Sequence, residues 1–288
     1  MSPGIESSPA PADPLRVAVA ERLADGDLRL PLLPRVASQV VALVGSPQTD
    51  ANRLAELIHR DPALAGHVLR IANSPAYMPR MPIVSLQQAV SRLGFNVVAE
   101  IAFAASVQSG VFKVPGYESV LLQLWRHALT SGAFAKEVAR ARRLNVEGAF
   151  LCGLLHAVGK PALLQLVTDV ARARGLPLEP ALLFALLDEL HPLVGLRIGE
   201  QWGLPKPVLA AIEHYGSYGQ AGAFRQDAMV TFLADRLATH ILDAAVFGSD
   251  QAFRETPVIA DLNLYPDDVA NLLSRKDRVL DQVSAMVA

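Results

Sequence analysis

The sequence predicts an all-α protein, and three observations support this prediction. Nearly every segment of the 288-residue chain repeats its apolar residues with the 3.6-residue period of a helix. No run alternates apolar and polar residues convincingly, as a half-buried strand would. Signals for helix starts, such as Asp-Pro, and for helix ends, such as Gly, occur along the chain. With 51% hydrophobic residues, the chain is long enough for one large domain or two modest ones.

The first part of the chain is predicted to be a compact array of short helices. Residues 1–14 contain four prolines among small residues, which predicts a disordered leader. Asp61-Pro62 supplies an N-cap and a first-turn proline. Residues 85–88 fit a capping box, and Gly94 ends the helix that follows. The predicted helices cover 15–23, 35–44, 51–58 (capped by Thr49-Asp50), 62–73, 86–93 and 96–110.

The second part is predicted to contain longer helices. A connector at 111–116 precedes a helix whose inner side carries a stripe of apolar residues. His191-Pro192 is predicted to start a new helix, because proline favours the first turn. A glycine-containing loop is expected at 216–224. The predicted helices cover 118–140, 161–174, 179–190, 191–203, 206–215 and 227–247, and a C-terminal amphipathic helix covers 267–286.

The most informative stretch, residues 149–156, lies between the predicted helices 118–140 and 161–174. Its sequence, Ala-Phe-Leu-Cys-Gly-Leu-Leu-His, is almost entirely apolar or small and predicts a helix buried on most faces. Gly159 is predicted to be the left-handed C-terminal cap, and Pro161 is predicted to open the next helix. His156 then lies in the last turn of a buried helix. Its two ring nitrogens require either hydrogen-bond partners or a metal.

Several residues of the second part could bind a metal, and each lies on or at the end of a different predicted helix. Helix bundles build metal sites from side chains that converge in this way. Spacing alone does not establish a site, because histidines at such intervals also occur by chance. The candidate ligands are His127, His156, His191, His214 and Asp235.

Charge and composition limit the partners of the protein. The formal net charge of −2 and the pI near 6.4 give no general attraction for nucleic acid. The longest apolar run, 181–187, is far shorter than the roughly 20 residues of a membrane span, so no membrane association is predicted. Cys152 is the only cysteine, which fits a reducing cytoplasm. Its apolar neighbours favour a packed side chain over a reactive thiol, and both Trp125 and Trp202 are assigned to the core.

A series of motifs follows one another in the order of a known family. These motifs are Asp61-Pro-Ala-Leu64, Arg70-Ile-Ala-Asn-Ser74, the stretch 85–94, Leu124-Trp-Arg-His127, the stretch 150–160, and Gly199-Glu-Gln-Trp-Gly-Leu-Pro205. Over residues 28–225 the sequence resembles the HDOD family, a degenerate branch of the HD phosphohydrolase superfamily. The resemblance implies an all-helical fold in which an N-terminal helical part, 30–115, packs against a five-helix HD-like core. That core comprises 116–225 and is completed by the extension 226–288.

HD enzymes hold metal with a histidine from an early helix, an adjacent His-Asp pair and a late Asp. Carried over to this sequence, the resemblance places the first histidine at His127 and the late carboxylate at Asp235. The pair falls on His156 and Ala157. Ala157 departs from the pattern, because it replaces the carboxylate that would bridge two metal ions.

Two interpretations of the candidate ligands stay open. In one, they form a vestigial polar cluster whose members hydrogen-bond to one another and to water. In the other, His127, His156 and Asp235 hold one divalent metal, because three N/O ligands plus water is a known zinc arrangement. His191 and His214 match the extra histidines of binuclear members. A binuclear centre is not expected, because two dications about 4 Å apart repel by on the order of 15 kcal/mol at an effective dielectric constant of 20.

The resemblance implies a cytoplasmic, non-enzymatic regulatory module of bacterial signalling that acts through contacts with a partner protein or with a second copy in a homodimer. No catalytic residue is expected, and no cofactor beyond a residual divalent metal. One alternative is a metal-dependent phosphohydrolase acting on nucleotides or cyclic dinucleotides, against which Ala157 argues. Another is a sensor of a phosphorylated small molecule, with Lys160 as the anion contact. The lack of a Gly-rich phosphate loop argues against that sensor.

Overall fold

Helices dominate the structure, a computed structural model that describes residues 13–25, 30–44, 51–77, 79, 81–110, 112–243, 246 and 249–287. No strand occurs within these ranges, so the prediction of an all-α fold is confirmed. Of the predicted leader, only Asp13 and Pro14 are among the described residues, and they begin the first helix. The predicted cap Thr49-Asp50 lies outside these ranges.

The first part of the chain is built of short helices, and four of them surround one central helix. Their bounds are α1 (Pro14–Ala24), α2 (Arg35–Val44), α3 (Ala51–His59), α4 (Pro62–Ala72), α5 (Leu86–Leu93) and α6 (Phe95–Gly110). Asp61 caps α4 by accepting a hydrogen bond from the Leu64 backbone N–H at 3.0 Å. The Ser85 hydroxyl accepts from the Gln88 backbone N–H at 3.2 Å. Helices α2, α3, α4 and α5 all pack against α6, whose side chains are largely buried.

The second part is organised along the 25-residue helix α7 (Glu118–Arg142). The other bounds are α8 (Val146–Leu155), α9 (Gly159–Arg174), α10 (Pro180–Gln201), α11 (Lys206–His214), α12 (Arg225–Leu242), α13 (Asp250–Arg254), α14 (Pro257–Asp261), α15 (Pro266–Ser274) and α16 (Lys276–Val287). Helices α8 and α12 pack along α7. A Cβ on Gly153 would lie 2.7 Å from the Ser131 carbonyl oxygen, so only glycine allows α8 to cross α7 this closely. The predicted loop at 216–224 contains two 3-10 segments, Tyr215–Gln220 and Gly222–Phe224.

The prediction of two helices over residues 179–203 is wrong. Helix α10 runs from Pro180 to Gln201 with Pro192 inside it. Because proline has no N–H, the carbonyl of Asp188, four residues earlier, loses its helical partner. Leu187 and Val194, on the two sides of Pro192, are buried in the core. Burial of both halves of the helix offsets the lost hydrogen bond.

The prediction that Gly159 caps the central helix is also wrong. Helix α8 ends at Leu155 with the right-handed His156 as its cap, and α9 begins at Gly159 itself. A Cβ on Gly159 would lie 2.1 Å from the His191 carbonyl oxygen and 2.7 Å from the Gly195 backbone nitrogen. The glycine is needed because the backbones of α9 and α10 touch at this point.

The C-terminal region differs from the prediction in its boundaries. The predicted single helix 267–286 forms two helices, α15 and α16, which are separated at Arg275. The short helices α13 and α14 precede them. The helix predicted over 227–247 extends from Arg225 to Leu242, and residues 244, 245, 247 and 248 lie outside the described ranges. Helix α16 packs against both α7 and α6, so the end of the described chain contacts both of its parts.

One segment, Val146–Arg174, is long and apolar enough by composition to span a membrane. It consists of α8 and α9 joined by a turn at 156–158, and most of its apolar part is buried inside the protein. A segment that is buried to this extent belongs to the core of the protein. Cys152 lies within it, is buried as predicted, and burial raises the pKa of its thiol. Trp202 is also buried and donates from its indole Nε1 to the Pro31 carbonyl oxygen at 2.8 Å.

Candidate functional site

The structure brings three of the candidate ligands together. His127 comes from α7, His156 from the end of α8, and Asp235 from α12, and their potential ligand atoms all lie within 4.8 Å of one another. The Nε2 atoms of His127 and His156 lie 2.8 Å and 3.2 Å from Oδ1 of Asp235. Because α7, α8 and α12 pack on one another, three positions distant in sequence meet in one group. We call these three residues the HHD group.

His156 is held in a defined orientation. Its side chain is only 1% exposed, and its Nδ1 lies 2.7 Å from the Gly153 carbonyl oxygen. That carbonyl can only accept, so Nδ1 carries the proton. In a neutral imidazole, Nε2 then presents a lone pair towards Asp235. Metal-binding histidines are oriented by the same kind of carbonyl contact, so His156 suits either a cation between it and Asp235 or a doubly protonated ring.

Asp235 carries the negative charge of the group. Burial alone would raise the pKa of its carboxyl group. Hydrogen bonds donated by His127 and by the doubly protonated form of His156, together with the charges of these rings, outweigh burial. The pKa of Asp235 is therefore held well below its usual range, and the group contains an anionic carboxylate. Two imidazole nitrogens and one carboxylate fit a single divalent cation, with further positions open to water.

Ala157 lines the same cavity as His127 and Asp235, and its side chain offers no ligand atom to the HHD group. Among the described residues, no second carboxylate joins the three. The group therefore has one negative charge available to compensate bound cations. One negative charge is compatible with one bound metal ion, but it would leave the repulsion between two metal ions largely uncompensated.

His191 and His214 lie outside the HHD group. His191 is buried, and its Nε2 lies 3.1 Å from the hydroxyl oxygen of Tyr215. Its Nδ1 has no hydrogen-bond partner in the described part of the chain. Burial, followed by the charges of Lys160 and His156, lowers the pKa of His191 to about 3. His214 is only partly buried, and its Nε2 lies 3.4 Å from Oε2 of Glu213.

Replacement of His191 should remove a pH dependence from the stability of the protein. The folded state keeps His191 neutral, whereas the unfolded chain binds a proton at this residue below about pH 6.5. The stability that His191 contributes is therefore present above pH 6.5 and is lost as the pH falls. Between pH 7.5 and 5.5 the wild type should lose about 1 kcal/mol more than His191→Gln in the free energy of unfolding. Urea unfolding at these two pH values measures the difference.

His59→Gln is the control for this prediction, because His59 is exposed. It should leave the pH dependence of the wild type unchanged. If His191→Gln behaves like His59→Gln, then His191 takes up its proton in the folded protein.

A cavity of about 910 Å³ opens beside the HHD group. Tyr215 lines it, with its ring edge against His156 at 4.8 Å between ring centroids. Tyr215 is not among the site residues predicted from the sequence, although its position directly after His214 at a helix end was a usable signal. Trp125 also lines the cavity; it packs against the core, as predicted, but it is only half-buried. Its indole nitrogen is enclosed and has no hydrogen-bond partner among the described residues.

Lys160, the predicted anion contact, also lines this cavity. Its Nζ donates to Oδ1 of Asp188 at 2.6 Å. The Lys160 side chain is 22% exposed, whereas that of Asp188 is 71% exposed. The pair is therefore open to solvent on the Asp188 side.

Comparison with known proteins gives a family and a fold. The family model of the HDOD domain matches residues 30–218. A structure from Shewanella amazonensis SB2B, provisionally named a metal-dependent phosphohydrolase, is 21% identical with a TM-score of 0.68, and the match covers 95% of this chain and 96% of that chain. An HDOD domain protein with unknown function from Geobacter sulfurreducens is 19% identical with a TM-score of 0.62, covering 92% and 98%. These two likenesses establish the fold alone.

A third solved structure comes from Marinobacter aquaeolei VT8 and is provisionally named a signal transduction protein. It is 25% identical to this chain with a TM-score of 0.68. The match covers 95% of this chain and 65% of that chain, so the relative is considerably longer. No curated protein matches the sequence.

Proposed function

Because the chain belongs to the HDOD family, we propose that it is a regulatory module that acts through contacts with another signalling protein and hydrolyses no phosphoester. The similarity to a protein provisionally named for signal transduction supports the regulatory part of this proposal. We place the module in the bacterial cytoplasm, in keeping with a single, buried cysteine. Its partner is a separate protein chain or a second copy of this one.

The observation that carries the proposal is Ala157 beside His156. An apolar methyl group lines the cavity where the resemblance to HD enzymes implies a carboxylate. Asp235 alone would offset one of the four positive charges of a two-metal centre. The repulsion between two dications, on the order of 15 kcal/mol at an effective dielectric constant of 20, would then be poorly compensated.

A second candidate function is a phosphohydrolase with one metal ion, and the geometry of the HHD group favours it. His127, His156 and Asp235 would hold the ion, which when bound supplies a Lewis acid and lowers the pKa of a coordinated water. The chain itself contributes the orientation of His156 by the Gly153 carbonyl and the anionic charge of Asp235. Lys160 lies in the same cavity and could hold a substrate oxyanion.

Ala157→Asp should separate these two functions. The substitution adds a carboxylate next to His156, so it should strengthen Mn²⁺ binding by about tenfold or more. The wild type should contain fewer than about one metal ion per chain and release no product from phosphodiesters, because no water is activated as a nucleophile. Elemental analysis and a phosphodiesterase assay on both proteins measure these properties.

Ala173→Asp is the matched control, because it adds the same charge to an exposed position of α9. It should leave metal content and Mn²⁺ affinity unchanged. A full metal complement and turnover in the wild type, both abolished in His156→Ala, would replace the regulatory proposal with the phosphohydrolase.

A further inference from the structure

The cavity beside the HHD group extends well beyond that group. Its volume of about 910 Å³ is near the upper end of the roughly 300–1,000 Å³ typical of small-molecule pockets. The potential ligand atoms of the HHD group, by contrast, lie within 4.8 Å of one another. Most of the cavity thus has no part in the function proposed above.

Helix α7 gives one wall of the cavity a polar and an apolar end. Val120, Leu124 and His127 all line the cavity and are spaced four and three residues apart, so they share one face of the helix. With a rise of 1.5 Å per residue, Val120 lies about 10 Å along the axis from His127. The wall therefore runs from the HHD group to an apolar outer end.

Helix α10 repeats this arrangement. Phe184, Asp188 and His191 line the cavity with the same four-and-three spacing. The buried His191 marks the inner end, and Phe184, which is 44% exposed, marks the outer end about 10 Å away. All three residues lie in the uninterrupted helix α10, so their side chains keep this helical spacing.

The charges that line the cavity do not form a site for a polyanion. The positively charged side chains are those of Arg126, Lys160 and Arg236. The carboxyl groups are those of Glu118, Asp188, Asp235 and Asp243. Apart from Asp235, whose charge the neighbouring histidines offset, three carboxyl groups face three cations, so the cavity has no excess of positive charge for a polyanion. More than half of the lining residues are apolar.

We propose that this cavity binds a small amphipathic anion, with one oxyanion group at Lys160 and an apolar body between α7 and α10. The inference rests on the proposed function in that the ligand is bound as an effector and is not turned over. The oxyanion is a carboxylate or a phosphate monoester, which share the same charge-assisted hydrogen bond to an ammonium group.

The Lys160–Asp188 pair explains how the oxyanion group is received. Asp188 is largely exposed, and ion pairs with one solvent-exposed partner contribute little to stability. A ligand oxyanion can therefore replace Asp188 on Lys160 at low cost. Lys160 would then donate to a ligand oxyanion inside the cavity and no longer to the exposed Asp188. A hydrogen bond that is shielded from water in this way is stronger.

Isothermal titration calorimetry of the wild type tests the proposal with octanoate, octyl phosphate, octanol, inorganic phosphate and AMP. Octanol supplies the apolar body without charge, inorganic phosphate supplies the head group alone, and AMP tests a nucleotide. The better of the two octyl anions should bind at least about tenfold more tightly than octanol, because charge-assisted hydrogen bonds are strong. Inorganic phosphate and AMP should bind more weakly than either octyl anion.

Matched variants locate the two ends of the ligand. Lys160→Met should weaken binding of the octyl anion by about tenfold, whereas Lys206→Met, at an exposed lysine outside the cavity, should not. Phe184→Ala should weaken it by about fivefold through lost apolar contact. Leu193→Ala is its control, because Leu193 lies on the same helix, is 46% exposed and does not line the cavity.

The outcomes distinguish this proposal from the function on which it rests. Octyl anions that bind no better than octanol overturn the proposal, and so does tighter binding of AMP. Tight octyl-anion binding that is insensitive to both Lys160→Met and Phe184→Ala overturns it as well. Release of inorganic phosphate from octyl phosphate would instead overturn the non-enzymatic function and leave the ligand class supported.

Discussion

Lys136→Met should destabilise the protein by about 3 kcal/mol, because it leaves a buried carboxylate without its partner. Lys136 on α7 donates to Glu100 on α6, and their side chains are only 14% and 10% exposed. Burial raises the pKa of Glu100, while Lys136 opposes that rise. Without Lys136 the pKa of Glu100 rises further, so the folded state binds a proton that the unfolded chain releases. The stability deficit relative to the wild type should therefore grow as the pH rises above the pKa of Glu100 in the wild-type fold, which burial already holds above its usual value.

Urea unfolding of three variants checks this prediction. The double variant Lys136→Met/Glu100→Leu should recover most of the lost stability, since replacing both members of a buried pair by apolar groups is close to neutral. Arg174→Met is the exposed control, because Arg174 and Glu21 form an ion pair with both side chains 54% exposed. It should cost less than about 1 kcal/mol. A Lys136→Met variant as stable as Arg174→Met would show that the Lys136–Glu100 pair contributes nothing to the contact between α6 and α7.

Gly159→Ala is the other substitution with a large expected effect, a loss of about 3 kcal/mol. The added Cβ would lie 2.1 Å from the His191 carbonyl oxygen, an atom of the α10 backbone that no side-chain rotation can move. Helices α9 and α10 must then separate. Since Lys160 follows Gly159 directly, the separation should also weaken binding of an octyl anion.

Gly66→Ala on α4 is the matched control, because a Cβ at Gly66 meets no atom within 4 Å. Alanine is favoured over glycine inside a helix, so this variant should gain about 0.5–1 kcal/mol. Thermal and urea unfolding compare the two. Equal stability of Gly159→Ala and the wild type would mean that the α9–α10 contact is looser than the structure shows.

Local signals in the sequence predicted much of the fold. The boundaries of α2 are those predicted, and α4 and α5 begin at the predicted caps Asp61 and Ser85, because capping depends on residues within one turn. The misplaced boundaries arise from contacts between distant segments. Pro192 is retained inside a helix by core packing on both of its sides, and the break at Arg275 contains neither glycine nor proline.

The candidate site shows the same division. Histidine spacing could not reveal that His127, His156 and Asp235 meet, and the family resemblance was needed to group them. It also grouped His191 and His214 with them, whereas the structure pairs His191 with Tyr215 and places His214 beside Glu213. The conformation of Gly159 could not be foreseen, because the close contact that requires glycine involves residues 191 and 195, more than thirty positions away.

The two tryptophans can serve as intrinsic fluorescence probes of two different parts of the protein. Trp202 is buried and bonded to Pro31, so its fluorescence reports on how the segment before α2 is attached to the end of α10. Trp125 lies in the cavity wall, so its emission responds to whatever enters the cavity. In Trp202→Phe, Trp125 would be the only tryptophan left, since the chain has two. Occupancy of the cavity could then be followed by stopped-flow mixing without any added dye.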